Sequence, residues 1–408
     1  MMTKQSSRCP EVLAPAGDWE RLQAAVTYGA DAVYLAGKEF GMRASQTNFD
    51  HEALERAVAF CHEQGVRLYV TVNTLPRNDE IDQLPDYLHF LDSIGVDAVI
   101  ASDIGVLALI REHTSGMEIH ISTQAGVVNY QTANVLYQMG AKRVVLAREC
   151  SLKEIAEIRA RTPEDLEIEA FVHGAMCMSF SGRCVISNYM TGRDANRGEC
   201  AQPCRWNYRL MEEKRPGQYF PVYEDEKGSY ILNAKDLCMI QAIDQLAEAG
   251  VTSLKIEGRA KSSYYVSVVT NAYRIAVDDY LRDPAHFSLQ PWLLEEVQKV
   301  SHRQYSTGFY YDEPGQFYEN GGYTREWDIV GMVDGWEEGD LLLTQKNKFS
   351  EGDEVELLEP GRKPEAFRVE NLRDGEGNPV GSACHPLMKL RISCGRSFKP
   401  GSILRKAK

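Results

Sequence analysis

The chemistry most open to reading in this chain is that of sulfur. Cys177, Cys184, Cys200 and Cys204 crowd the segment EIEAFVHGAMCMSFSGRCVISNYMTGRDANRGECAQPCRWNY, and Cys238 follows in the next unit. No run of about 18 apolar residues occurs and no apolar leader follows MMTKQSSRCPEV, so a cytoplasmic protein with no membrane association is expected. In a reducing compartment, clustered thiols suit metal binding or redox work better than disulfides. Thiolates serve zinc or an iron–sulfur cluster. Zinc sites favour C-x-x-C knuckles, and none is present here. The nearest spacing is Cys200-x-x-x-Cys204, so the wider spread favours a cubane cluster, with zinc as the alternative. Cys61 and Cys150 sit in apolar patterns and read as core residues.

The elements that must carry these thiols are announced by a repeated joint. GADAVYL at Gly29, GVRLYV at Gly65, GVDAVI at Gly95, GMEIHI at Gly116, GAKRVVL at Gly140 and GVTSLKI at Gly250 each read as a helix stop followed by a buried strand. Apolar positions three and four apart predict helices between them, at Trp19 to Tyr28, His51 to Gln64, Ile81 to Ile94 and Leu152 to Arg161. Adding strands at Glu11 to Ala14 and Leu166 to Val172 brings the count to eight, the last being Ser253 to Glu257 of the Gly250 joint. That favours a (β/α)8 TIM-type barrel over a doubly wound sheet, for which no G-x-G-x-x-G follows the first strand. The cysteine-rich insertion, 175–240, falls between strands 7 and 8. Helices are expected at Tyr264 to Leu281 and Trp292 to His302, and the barrel is expected to run to about residue 325. From 326 to 408 short alternating strands and glycine turns predict a small C-terminal β-barrel domain.

Barrel enzymes work at the C-terminal ends of their strands. Those ends present Asp18, Asn73, Asp103, Ser122, Thr123, Gln124, Arg148, Glu149, His173, Glu257 and Arg259, expected to converge on one mouth. A net charge of −14 argues against the whole surface being a nucleic-acid platform. Two zones are nonetheless basic, Arg183 to Arg209 and His385 to Lys408. They read either as phosphate contacts or as edges balanced by acidic neighbours.

The segment E169-A-F-V-H-G-A-M-C177, followed by G182-R-C184-V-I-S187, resembles the signature of the collagenase-like peptidase family of unknown catalytic type. The resemblance extends to EVLAPAGDWERLQAAVTYGADAVYLAG, FGMRASQTNF, RGECAQPCRW and the DLC of Asp236 to Cys238, and so covers most of the barrel. Length and C-terminal texture look most like the branch that makes 5-hydroxyuridine in tRNA. That resemblance implies a 4Fe-4S cluster on Cys177, Cys184, Cys200 and Cys238, with Cys204 an unassigned fifth thiol. It further implies oxygen-independent hydroxylation of the wobble uridine at C5, with prephenate or a similar carboxylic acid as hydroxyl source. An electron-transfer partner is left open. Under this reading Arg148 and Arg259 would fork the donor acid. His173, Glu169 and Glu257 are candidate proton carriers, and Arg183, Arg197 and Arg205 candidate phosphate contacts. Two other functions stand as alternatives, a collagenase-like peptidase and a non-catalytic iron–sulfur scaffold in RNA or quinone hydroxylation. The peptidase has no HExxH or G-x-S-x-G motif to support it.

Overall fold

The computed structural model describes residues 9–41, 48–176, 186–193, 200–203, 223–225, 228–230, 234–312 and 323–408. Eight parallel strands form the barrel. They are Glu11–Pro15 (β1), Ala32–Leu35 (β2), Arg67–Val72 (β3), Ala98–Ala101 (β4), Glu118–Ile121 (β5), Arg143–Val145 (β6), Glu167–Ala175 (β7) and Ser253–Ile256 (β8). Each pairs with the next, and Ser253 of β8 aligns with both Glu169 and Glu11, which closes the ring. The (β/α)8 expectation is therefore met. Near-continuous Val, Ile, Leu and Ala runs make these strands, because helices cover them outside and side chains fill them inside.

The covering helices are Trp19–Thr27 (α1), His51–Glu63 (α2), Leu84–Ser93 (α3), Ile104–His113 (α4), Tyr130–Gln138 (α5), Leu152–Ala160 (α6) and Ile243–Glu248 (α7). After β8 come Ser263–Arg282 (α8) and Pro291–Gln298 (α9). Asp18, Asp50, Asp103, Asn129, Ser151 and Ser262 accept the first free amides of their helices. The expected helix from Ile81 begins instead at Leu84, after a separate turn at Asn78–Ile81. Pro85 has no N–H to continue a ladder and is suited to a first helical turn. Gly29, Gly65, Gly95, Gly140 and Gly250 take positive φ at the joints, as expected. Gly116 does not. There the Asp92 carboxylate accepts the amides of Ser115 and Gly116 and ends the helix without a left-handed residue.

The long excursion between β7 and β8 returns onto β7. Asp236–Cys238 pairs antiparallel with it, Asp236 opposite Ala175 and Cys238 opposite His173, and pairs on its other side with the two-residue strand Tyr305–Ser306. The C-terminal domain is a curled antiparallel sheet. Its main strands are Trp327–Glu337 (β9), Asp340–Gln345 (β10), Glu354–Leu358 (β11), Glu365–Arg368 (β12), Lys389–Ser393 (β13) and Ile403–Ala407 (β14), in the order β12-β11-β14-β9-β10-β13. It has its own apolar core around Val330, Leu341, Leu343, Val355, Ile392 and Leu404. Leu358 and Ile403, however, belong to the core of the barrel. The join is ionic as well. Arg405, fully buried, is held by Glu296 of α9 at 2.6 and 2.7 Å and by Glu356 of β11 at 2.6 Å.

Candidate active site at the barrel mouth

Alternate residues of each strand face the lumen, which allows it to be built upward in layers. At the floor, the strand starts contribute charge. Arg143 (β6) donates to Glu11 (β1) at 2.7 Å, to Glu169 (β7) at 3.0 Å and to Glu167 at 2.6 Å. Arg67 also bonds Glu11, and Ser253 donates to Glu11 at 2.9 Å. Burial raises the Glu11 pKa, yet Arg143 outweighs it and holds the carboxyl down to about 2. One layer higher, Lys255 (β8) donates to Glu169 at 2.6 Å and lies over the ring of Tyr34.

The mouth ring is polar. Arg148, following β6, rests its guanidinium 3.8 Å above the Phe171 ring, donates to the Ala175 carbonyl at 2.5 Å and lies 3.5 Å from the Glu257 carboxylate. Arg259 bonds Thr71 of β3 at 3.4 Å. On the β3–β5 side, Asn73 Nδ2 donates to Ser122 Oγ at 3.3 Å, Ser122 donates to Gln124 Oε1 at 3.1 Å, and Ser102 donates to the Asn73 carbonyl at 3.0 Å. Glycine is required where these walls touch. A Cβ on Gly174, at φ 106°, would lie 2.4 Å from the Glu257 carbonyl oxygen. A guanidinium pair with a carboxylate on one wall and a hydroxyl–amide relay on the other can hold a charged acid and a polar heterocycle together.

Several sequence expectations change at this level. Glu169 is not at the mouth but on the floor, fully buried and ion-paired, because its place early on β7 sets it level with the starts of β1 and β8. Lys255 points into the lumen, to the same carboxylate. Asp18 and Asp103 are helix caps. His173 is fully buried, with Tyr305 hydroxyl 3.1 Å from Nε2 and Tyr273 hydroxyl 3.4 Å from Nδ1. Burial, with His302 and Lys261 adding to it, pushes its pKa down to about 3, so the ring is neutral and better placed to orient β7 than to exchange protons with solvent. The C-terminal basic zone is largely neutralised. Lys389, Arg391, Arg396, Arg405, Lys406 and Lys408 pair with Asp334, Glu337, Glu365, Glu296, Asp353 and Asp328. The tyrosines around His173 and the charges of the floor were missed. The signal for the floor was a charged residue at an inward position of an otherwise apolar strand.

Cys177, Cys184, Cys204, Arg183, Arg197 and Arg205 lie outside the described residues, and among the described residues no three His, Cys, Asp or Glu side chains gather as a metal site. Two of the four expected ligands are described. Cys200 is exposed and its sulfur accepts the Gln202 amide at 3.4 Å. Cys238 lies beside the end of β7, and burial pushes its thiol up to about 11. A donor aimed at sulfur is what a cluster-bearing thiolate takes, and the Gln202 amide gives Cys200 one. Cys61 and Cys150 are buried with thiols pushed up to about 12 by burial, in keeping with a core role.

A parallel barrel with a cysteine-bearing excursion from β7 and a C-terminal antiparallel domain defines peptidase family U32, and the chain belongs to it. The family matches residues 17–320, and the family's C-terminal domain matches residues 325–405. Within it, the chain is 39% identical over 404 residues to tRNA hydroxylation protein P1 of Bacillus subtilis, covering 98% of this chain and 95% of that protein. It is 38% identical over 415 residues to tRNA hydroxylation protein P of Escherichia coli, covering 91% and 90%. A 23S rRNA 5-hydroxycytidine synthase of Escherichia coli is 39% identical over 282 residues, 69% of this chain and 41% of that protein.

Proposed function

We propose that this chain is an RNA hydroxylase whose substrate is the wobble uridine of tRNA, converted at C5 to 5-hydroxyuridine. The observation that carries the reading is similarity to tRNA hydroxylation proteins running through both domains, over 98% of the chain. The proposal includes a 4Fe-4S cluster held by Cys177, Cys184, Cys200 and Cys238, and prephenate as hydroxyl source without molecular oxygen. The amide donated to Cys200, and the pairing that sets Cys238 beside the end of β7, support that ligand set. Such a cluster would supply an electron path or a Lewis-acidic iron, which side chains alone do not.

The chain's own groups have definable work in this scheme. Arg148, stacked on Phe171 and hydrogen-bonded to Ala175, is pre-oriented to exchange Glu257 for a carboxylate of the donor acid. Arg259 provides a second cation across the mouth. Glu257, 3.5 Å from Arg148, is the candidate mouth carboxylate for proton transfer. RNA phosphates would be met by Arg183, Arg197 and Arg205, with steep loss of binding on adding salt. The test is mass spectrometry of tRNA nucleosides from cells lacking the gene. The wild-type gene should restore 5-hydroxyuridine derivatives, and Cys177→Ala should not. Nucleosides unchanged by deletion would refute the reading.

A further inference from the structure

We infer that the relay Asn73–Ser122–Gln124 is the wall that reads the Watson–Crick edge of the target pyrimidine and selects uracil over cytosine. This rests on the uridine hydroxylation proposed above and assigns the base recognition within that same site.

The argument begins with strand alternation. Tyr69, Thr71 and Asn73 are successive inward positions of β3, and Tyr69 fills the lumen while Thr71 meets Arg259. Asn73 is therefore the inward residue at the mouth on that strand. On β5 the same count runs through Glu118, His120 and Ser122, with His120 packed edge-on to Tyr69. Both side chains thus face the cavity from one side. In an eight-strand ring β4 stands opposite β8, so this wall faces the Glu257 end of β8, from which Arg259 reaches across to Thr71.

The relay has a direction. Ser122 has one hydroxyl hydrogen, and it goes to Gln124 Oε1 at 3.1 Å. Its oxygen must then accept from Asn73, which turns Nδ2 rather than Oδ1 toward it, at 3.3 Å. The Ser102 hydroxyl fixes the Asn73 backbone at 3.0 Å. So oriented, the amide offers a base its second N–H and its oxygen, exchanging with the neighbours those atoms hold in the structure. That pair matches uracil, whose O4 accepts and whose N3–H donates. Cytosine presents the reverse pattern at both atoms and would need the amide turned over, which the relay opposes.

Two variants test this. Asn73→Asp keeps shape but removes the donor to O4, and Ser122→Ala keeps Asn73 but frees its amide to rotate. Binding of anticodon stem-loop RNAs carrying U or C at the target position is measured for each, together with 5-hydroxyuridine and 5-hydroxycytidine in tRNA from complemented cells. Asn73→Asp should weaken U-loop binding roughly tenfold to a hundredfold while its effect on the C-loop stays smaller. Ser122→Ala should keep U-loop binding within a few-fold but reduce the U-over-C preference about tenfold or more. An unchanged preference in Ser122→Ala, with the wild type restoring 5-hydroxyuridine, overturns the inference and leaves the proposed function standing. Failure of the wild type to restore it would instead overturn the function. Should Asn73→Asp not fold, Ser122→Ala still decides.

Discussion

Replacing Arg143 by Met removes the central cation of the barrel floor while keeping a side chain that fills its space. Glu11, Glu167 and Glu169 all lose a partner, at 2.7, 2.6 and 3.0 Å. A carboxyl held at about 2 rather than 4.5 is stabilised as the anion by about 3 kcal/mol, most of it from Arg143, and Glu11 is buried enough for that figure to apply with little screening. Stripping one member from a buried ionic cluster costs about 3–5 kcal/mol. The two estimates agree, and a fall in melting temperature of about 5 °C is expected. The effect has a pH signature. In the wild type the Glu11 contribution is fully present above about pH 4.5 and is lost as pH falls through about 2. In the variant, burial without Arg143 pushes the remaining carboxyls up, so protonation relieves them. The deficit should therefore be largest at pH 7 to 8 and shrink towards pH 5. Urea titrations followed by circular dichroism at both ends of that range measure it. A deficit below about 1 kcal/mol at neutral pH, or one that acid does not reduce, would refute the account of the floor as a matched ionic layer.

Arg405→Leu leaves the buried Glu296 with Lys299, 3.6 Å away, in place of its bidentate partner, and should cost about 3 kcal/mol and split one unfolding transition into two in calorimetry. Gly174→Ala forces a Cβ against the Glu257 carbonyl at positive φ, so hydroxylation should fall with a stability loss of about 1–3 kcal/mol, read by nucleoside mass spectrometry and thermal melts. Arg148→Ala should raise the apparent KM for the donor acid about tenfold or more with a smaller change in kcat, and Arg148→Lys should recover only part of it. Cys238→Ser, purified without oxygen, should lose absorbance near 400 nm and bound iron relative to wild type; equal iron content would remove Cys238 from the ligand set.

Much of the scaffold was legible because it repeats. A helix stop followed by a buried run, met again and again, leaves little freedom beyond ring closure, and five of the six joint glycines adopt the conformation that their spacing implies. Gly116 departed because a side chain, Asp92 from the preceding helix, does the same work, and sequence spacing does not show a contact across 24 residues. The mouth residues Arg148, Glu257 and Arg259 were found by strand-end position alone. Glu169 was misplaced since a strand of nine residues has two ends, and neighbouring His173 drew attention to the wrong one. His173 itself was misjudged for a different reason. Its partners Tyr273 and Tyr305 arrive from elements 100 and 132 residues later, where no local pattern signals them.

The pairing of Asp236–Cys238 with the end of β7 has a consequence for assembly. Both ends of the excursion are fastened at one point, and Asp236 anchors its end further by accepting the Arg303 amide at 3.1 Å. Whatever occupies the stretch between, its ends are held at a fixed separation by those backbone bonds. Closure of this large loop is thus part of the folding of the barrel itself.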